Sequence, residues 1–347
     1  MSKTSIFLTG ATGYIGGSVL THLLNHPNVS SFEITAFVRD PEKAKLLEEF
    51  GLKTVVGSNS DLDKLEEATS KSDVVISTAD ADDVPAIKAI LRGLKKRHDE
   101  TGVAPILIHT VSFLVLTDDA HGHYAYETIY SDLDIPLIES LAATQPHRDV
   151  DLLIVEAGEQ GYARTHIILP STIYGLAQGP LFDKGISNKH SIQVPGLIKA
   201  SWDRKQGGMV REGKNLWPNV HIEELADLYI ILFDAALSNP KTANGREGYY
   251  FGESDEYLFY DLAKTVAQVL VELGRGSSEE PTPFSREEID KYFAGVSGSA
   301  YLGSNSRARA ERSRSLGWRP VKRTTDLLLS VKPEVEELAR SGRINSF

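Results

Sequence analysis

A doubly wound parallel α/β sheet with a smaller C-terminal lobe is the fold class that this sequence predicts. Three observations carry it. Apolar runs alternate with helical patterns along the first half of the chain, and a glycine-rich turn, TGATGYIGG, joins the first run to the first helix. After RTHIILP the alternation weakens, and Gly, Pro and Trp gather in YGLAQGPLFDKG, QVPGLIKASWDRKQGG and KNLWPNV.

Taken in order, SIFLTG reads as strand one and GGSVLTHLLNH as the helix behind it. FEITAFV, LKTVVGS, DVVISTA, APILIHTV and RTHIILP follow as strands two to six, with helices between most of them. Between strands five and six, residues 112 to 146 form a connection far longer than the usual span of about 2 to 6 residues, and such loops are often functional. The stretch GRGSSEEPTPFSREE, residues 274 to 288, has linker composition. The expected division is a nucleotide-binding part at 1–175 with 218–240, and a substrate lobe at 176–217 with 241–347.

Composition excludes several functions. At 347 residues and 41% hydrophobic content the chain can build one large core with a lobe attached. A formal net charge of -11 argues against a nucleic-acid partner. Without cysteine there is no disulfide, no thiol nucleophile and no Cys-ligated metal, which fits a reducing compartment. The first strand starts almost at once, leaving no room for a signal peptide, and no apolar run approaches the roughly 20 residues that span a bilayer. The expectation is a cytoplasmic protein acting on a small-molecule substrate, with no membrane partner; a homodimer is compatible with this.

Gly10, Gly13 and Gly16 lie where a strand passes into a helix. Bare backbone there can turn tightly and approach a pyrophosphate held at the helix N-terminus, so a Rossmann-type dinucleotide site is expected around Gly10, Thr12, Gly13, Tyr14, Ile15 and Gly16. At the end of strand two, AFVRDPEK offers both Arg39 and Asp40. An acid would bind the ribose 2'-hydroxyl of NAD(H), and an arginine the 2'-phosphate of NADP(H). Asp40, followed by Pro41 and Glu42, suits a helix N-cap, which leaves Arg39 without a structural task and favours NADP(H) over NAD(H). Thr78 and Ala79, after strand four, are expected beside the cofactor.

These motifs resemble the extended branch of the short-chain dehydrogenase/reductase superfamily, often called NAD-dependent epimerase/dehydratase. TGATGYIGG is similar to its TGxxGxxG turn and LPSTIYG, residues 169–175, to its RPxxIYG. NVHIEELADLYIILFDAAL is similar to its VHVDDLADAY helix, and SNSRARAERSRSLGWRP to its SKAxxxLGWxP segment. The resemblance covers nearly the whole chain. It implies the fold, a nicotinamide cofactor, Pro170 near the nicotinamide and a small C-terminal lobe over the substrate. It also implies a YxxxK pair, in which tyrosine donates the proton and lysine lowers its pKa. Counted from LPSTIYG and Glu156, that pair falls on His147 and Asp151, changed at both positions. The family's strand-five serine falls in HTVS, where Val111 occupies the slot and Thr110 and Ser112 flank it. Tyr126 and Tyr130, in HGHYAYETIYSD, are further candidates but have no lysine four residues on.

Two readings of His147 and Asp151 stand open. At i and i+4 on one helix face, aspartate could orient an imidazole whose pKa of about 6.5 makes it a usable acid without lysine. Alternatively QPHRDVD is a plain helix start, with acids at the positive end of the macrodipole and His147 solvated. Tyr124, Tyr126 and Tyr130 are expected to close over the nicotinamide end as a lid. His121 and His123 read as a solvated loop, because two histidines do not make a metal site, and a hydrolase triad lacks its GxSxG elbow. Three functions follow: an NADP(H)-dependent oxidoreductase on a small carbonyl or alcohol, a non-redox isomerase, dehydratase or cyclase, or a dinucleotide sensor without turnover that resembles the NmrA-like proteins, which also lack the tyrosine-lysine pair.

Overall fold

The computed structural model describes residues 3–294 and 302–346. Seven parallel strands form the central sheet: β1 (Thr4–Thr9), β2 (Phe32–Val38), β3 (Lys53–Val56), β4 (Val74–Ser77), β5 (Ile106–Thr110), β7 (Arg164–Pro170) and β11 (Tyr249–Gly252). Their order is β3-β2-β1-β4-β5-β7-β11, so the chain reverses direction across the sheet between β1 and β4. Leu8 stands beside Ala36 on one side and Ile76 on the other, all three fully buried. The middle strands are apolar at consecutive positions because helices cover both faces of the sheet, which buries odd and even residues alike.

The helices of this half are α1 (Tyr14–Leu24), α2 (Pro41–Glu48), α3 (Leu62–Ser70) and α4 (Val84–Thr101). Asp40 caps α2, with Oδ1 accepting the N–H groups of Glu42 at 2.9 Å and Lys43 at 3.4 Å. The long connection after β5 contains a 3-10 turn (Phe113–Leu116), a two-residue bridge, β6 (Tyr130–Ser131), and a short helix, α5 (Ile135–Glu139), before α6 (Arg148–Glu159).

After β7 comes β8 (Thr172–Tyr174), which joins β10 (Leu216–His221) and β12 (Asp255–Leu258) in a three-stranded sheet. A short strand, β9 (Gly208–Met209), pairs with Thr282–Pro283 at its side. Around the sheet lie α7 (Pro180–Asp183), α8 (Gln193–Arg204), α10 (Phe259–Glu272) and a C-terminal helix, Thr324–Arg340, that packs on α8 and α10. Between them α9 (Ile222–Ser238) returns to pack on α1. The sequence division needs one correction. β11 lies within 241–347, the span expected for the second lobe, yet Tyr249–Gly252 pair with Ile167–Pro170 as the seventh strand of the main sheet. Four consecutive buried residues, YYFG, fit a strand at that position. No helix among the described residues is long and apolar enough to cross a membrane.

Candidate functional site

The glycine turn is built for close approach. Gly10 has φ +77°, and a Cβ there would lie 2.5 Å from Thr78 Oγ1. A Cβ on Gly16 would overlap the carbonyl oxygen of Gly10, so the turn, α1 and the end of β4 press together only without side chains. Gly13 is the N-cap of α1 and brings no side-chain cap, and the first turn of α1 carries no acid. The helix therefore presents unsatisfied N–H groups and positive partial charge, which suits a pyrophosphate. Arg39 is exposed at the end of β2 with no hydrogen bond or ion pair among the described residues, whereas Asp40 is committed to its cap.

A cavity of about 390 Å³ opens at the carboxyl ends of β1, β4, β5 and β7. Gly13, Tyr14, Ile15, Thr78, Ala79, Thr110, Ser112 and Pro170 all line it, together with Asp80, Val111, Ile173, Asn188 and residues 190–193. The Thr110 hydroxyl shares a 2.6 Å hydrogen bond with Tyr229 of α9. Ser112 Oγ accepts the Leu114 N–H at 3.2 Å, leaving its own proton to donate. Tyr14 lines the wall, but its hydroxyl donates to the Gly175 carbonyl at 2.5 Å, and burial holds its pKa well above the ordinary value. Thr12 stands just outside the cavity and gives its carbonyl to the Asn188 N–H at 3.1 Å.

His147 and Asp151 do not line this cavity, and Asp151 does not hold the His147 ring. His147 is the N-cap residue of α6 with φ +68°, so it lies outside helical geometry and the i, i+4 neighbour relation does not apply to it. Its Nδ1 pairs instead with Asp82 Oδ1 at 2.5 Å, and its Nε2 is buried without a partner. Asp151 is fully buried with both carboxylate oxygens unpaired, and burial pushes its pKa up to about 7, against the pull of Arg148. Arg148 is itself buried and donates to the Tyr249 hydroxyl at 2.9 Å. His109 on β5 completes this buried cluster: both ring nitrogens are unpaired, and burial, then the charge of His147, hold it down to about 3.

The long loop is fastened to the C-terminal segment and does not cover the cavity. The Gly122 N–H donates to Gly303 at 2.6 Å, and the Tyr130 N–H to Arg307 at 2.9 Å. The Asn305 N–H donates to Asp118 at 2.7 Å, and Arg312 N–H to Asp132 at 2.7 Å. Tyr124 and Tyr126 remain 50% and 43% exposed, and neither they nor Tyr130 lines the cavity. The expected lid is corrected accordingly: these backbone bonds fix the loop elsewhere. His121 pairs with Asp119 and His123 with Glu212, two separate ion pairs.

The cavity holds one pair that the motifs do not contain. His190 lines it, and its Nδ1 donates to Glu334 Oε1 at 2.5 Å, both side chains buried. A faint sequence signal exists, since Glu334 lies on the helical stripe Leu327, Val331, Leu338 that is otherwise apolar. A carboxylate on such a stripe needs a partner.

The uncapped glycine turn, the sheet reversal beside it and the lobe across the cavity give the chain the Rossmann-type fold of the extended short-chain dehydrogenases/reductases. Residues 10–130 match a family described as NAD(P)H-binding. The oxidase ucsJ of Acremonium sp is 27% identical over 357 aligned positions, covering 97% of this chain and 99% of that protein. The phenylcoumaran benzylic ether reductase IRL1 of Ginkgo biloba is 44% identical over 99, covering 26% and 32%. A dTDP-glucose 4,6-dehydratase of Bacillus anthracis, solved in complex with NAD, superposes with a TM-score of 0.64 at 13% identity over 98% of both chains.

Proposed function

We propose that the protein is an NADP(H)-dependent oxidoreductase acting on a small carbonyl compound or the corresponding alcohol. The observation that carries this reading is the single cavity that joins the glycine turn, the end of β5 and Pro170, with an apolar wall from Ile15, Val111, Ile173 and Ile192. Gly10, Gly13 and Gly16 would hold the pyrophosphate, Arg39 the 2'-phosphate, and Thr78, Ala79, Thr110 and Pro170 the nicotinamide half. A nicotinamide bound there supplies or accepts a hydride. Ser112 donates its free hydroxyl proton toward the substrate oxygen and orients it, while the apolar wall excludes water from the reacting carbon.

A second reading, a dinucleotide sensor without turnover, is favoured by one observation. No lysine is among the described residues that line the cavity, and the Tyr14 hydroxyl is occupied by Gly175. The test is to titrate NADPH and NADH, then follow NADPH consumption on panels of aldehydes and ketones. Tight binding of NADPH with turnover supports the oxidoreductase; tight binding with no turnover on any panel member refutes it.

A further inference from the structure

We propose that His190, held by Glu334, is the proton-transferring catalytic residue of this cavity, an inference that rests on the oxidoreductase reading. Three independent features place it there. First, His190 lines the cavity, and its Nε2 makes no hydrogen bond among the described residues and is not one of the buried orphan atoms, so that nitrogen is free to meet a ligand. Second, the opposite nitrogen is fixed by a carboxylate buried in the protein, which sets the tautomer and the orientation of the ring. Third, the segment that carries His190 is bolted to the nucleotide turn. Ser187 Oγ donates to the Ala11 carbonyl at 2.9 Å, and the Asn188 N–H to the Thr12 carbonyl at 3.1 Å. Asn188 Nδ2 in turn donates to the His190 carbonyl at 2.8 Å. The ring and the cofactor site therefore share one rigid support.

The chemistry balances. In the reducing direction the substrate carbonyl carbon takes a hydride from a reduced nicotinamide, its oxygen takes the proton from His190 Nε2, and an alcohol leaves with oxidised nicotinamide. His190 is left neutral, still donating Nδ1–H to Glu334, and regains its proton from solvent. In the oxidising direction Nε2 accepts the alcohol proton. The charged groups around the pair are Glu337 on the same helix as Glu334, Lys189 beside His190, Lys199 on α8 and Arg343 beyond it. Glu334 is a positioning residue, because it acts through the imidazole.

His190→Asn tests the proposal with the fold preserved, since the asparagine amide occupies the Nδ1 position and can still donate to Glu334. The expected result is a loss of kcat of about 100-fold or more, with NADPH affinity within a factor of three and the pH dependence of kcat flattened. Glu334→Gln keeps a neutral hydrogen-bond partner. It is expected to lower kcat less than His190→Asn does, and to move the ionisation seen in the pH profile to lower pH, with KM little changed; a merely structural glutamate would leave the pH profile in place. His190→Asn with parental kcat and pH profile overturns the proposal and leaves the oxidoreductase reading standing. If the parent binds NADPH but reduces no aldehyde or ketone, the oxidoreductase reading fails first. The histidine side-chain resonances then judge His190: signals that shift when NADPH is added support its place at the cofactor, and unmoved signals overturn it.

Discussion

Asp151→Asn is expected to stabilise the protein at neutral pH. The carboxyl of Asp151 is fully buried on α6, accepts no hydrogen bond, and is pushed by burial from an ordinary 3.8 up to about 7. The folded state therefore keeps its proton up to about pH 7, while the unfolded chain releases it near pH 4. Between those values folding takes up a proton, so the stability contributed by the neutral acid is complete below pH 4 and is lost as pH rises through 7. A rise of that size corresponds to about 4 kcal/mol at full burial, or about 1.4 kcal/mol for each pH unit crossed. His109 and His166 work in the opposite direction. Burial holds both down to about 3, so their contribution is present above pH 6.5 and lost as pH falls toward 3. The total pH curve of the parent mixes these effects, whereas the difference between Asp151→Asn and parent isolates one carboxyl. Urea unfolding in half-unit steps from pH 5 to 8.5 should show the variant gaining about 3 kcal/mol relative to the parent between pH 5 and 7, then levelling. A difference that stays constant over that range refutes the argument.

Arg39→Ala should weaken NADPH binding at least about tenfold and leave NADH binding unchanged, as a lost charge-assisted contact of about 1.5 to 3 kcal/mol requires; fluorescence titration of both cofactors decides it. His147→Ala should keep turnover within about threefold of the parent, because the ring faces Asp82 and not the cavity, while costing about 1 kcal/mol in thermal or urea unfolding; a loss of activity comparable to that of His190→Asn would restore His147 to the reaction. In hydrogen exchange, NADPH should protect residues 187–193 and leave 118–146 unchanged, since only the first segment is tied to the nucleotide turn while the second is fastened to the C-terminal segment.

What the sequence made legible was local. FEITAFV matches β2 residue for residue, and the Asp-Pro-Glu start of α2 was readable because a cap acts within three residues. The glycine turn was readable for the same reason, and Thr78, Ala79, Thr110 and Pro170 line one cavity with it. Less local features escaped. QPHRDVD suggested a helix with His147 and Asp151 on one face, but α6 begins at Arg148 with His147 in a left-handed conformation, which directs the ring to Asp82. The His190–Glu334 pair joins positions 144 residues apart, beyond any spacing rule, and only the polar interruption of an apolar stripe hinted at it. YYFG reads as an apolar run, yet nothing near it says which of two sheets it joins, because pairing partners are set by tertiary packing.

The path of the backbone limits how the two parts of the protein can move. The chain leaves the main sheet after β7, returns to it for α9, where α9 packs on α1, stays for β11, and leaves again. The lobes are thus sewn together by several crossings, not joined by a single hinge. A bending motion would have to flex all of these crossings at once, because β11 is held in the main sheet by β7 and α9 is packed on α1. Access to the reaction space then belongs to small side-chain and segment movements at its rim, where Ile192 stands 76% exposed at the mouth, and no limited proteolytic cut would release either lobe intact.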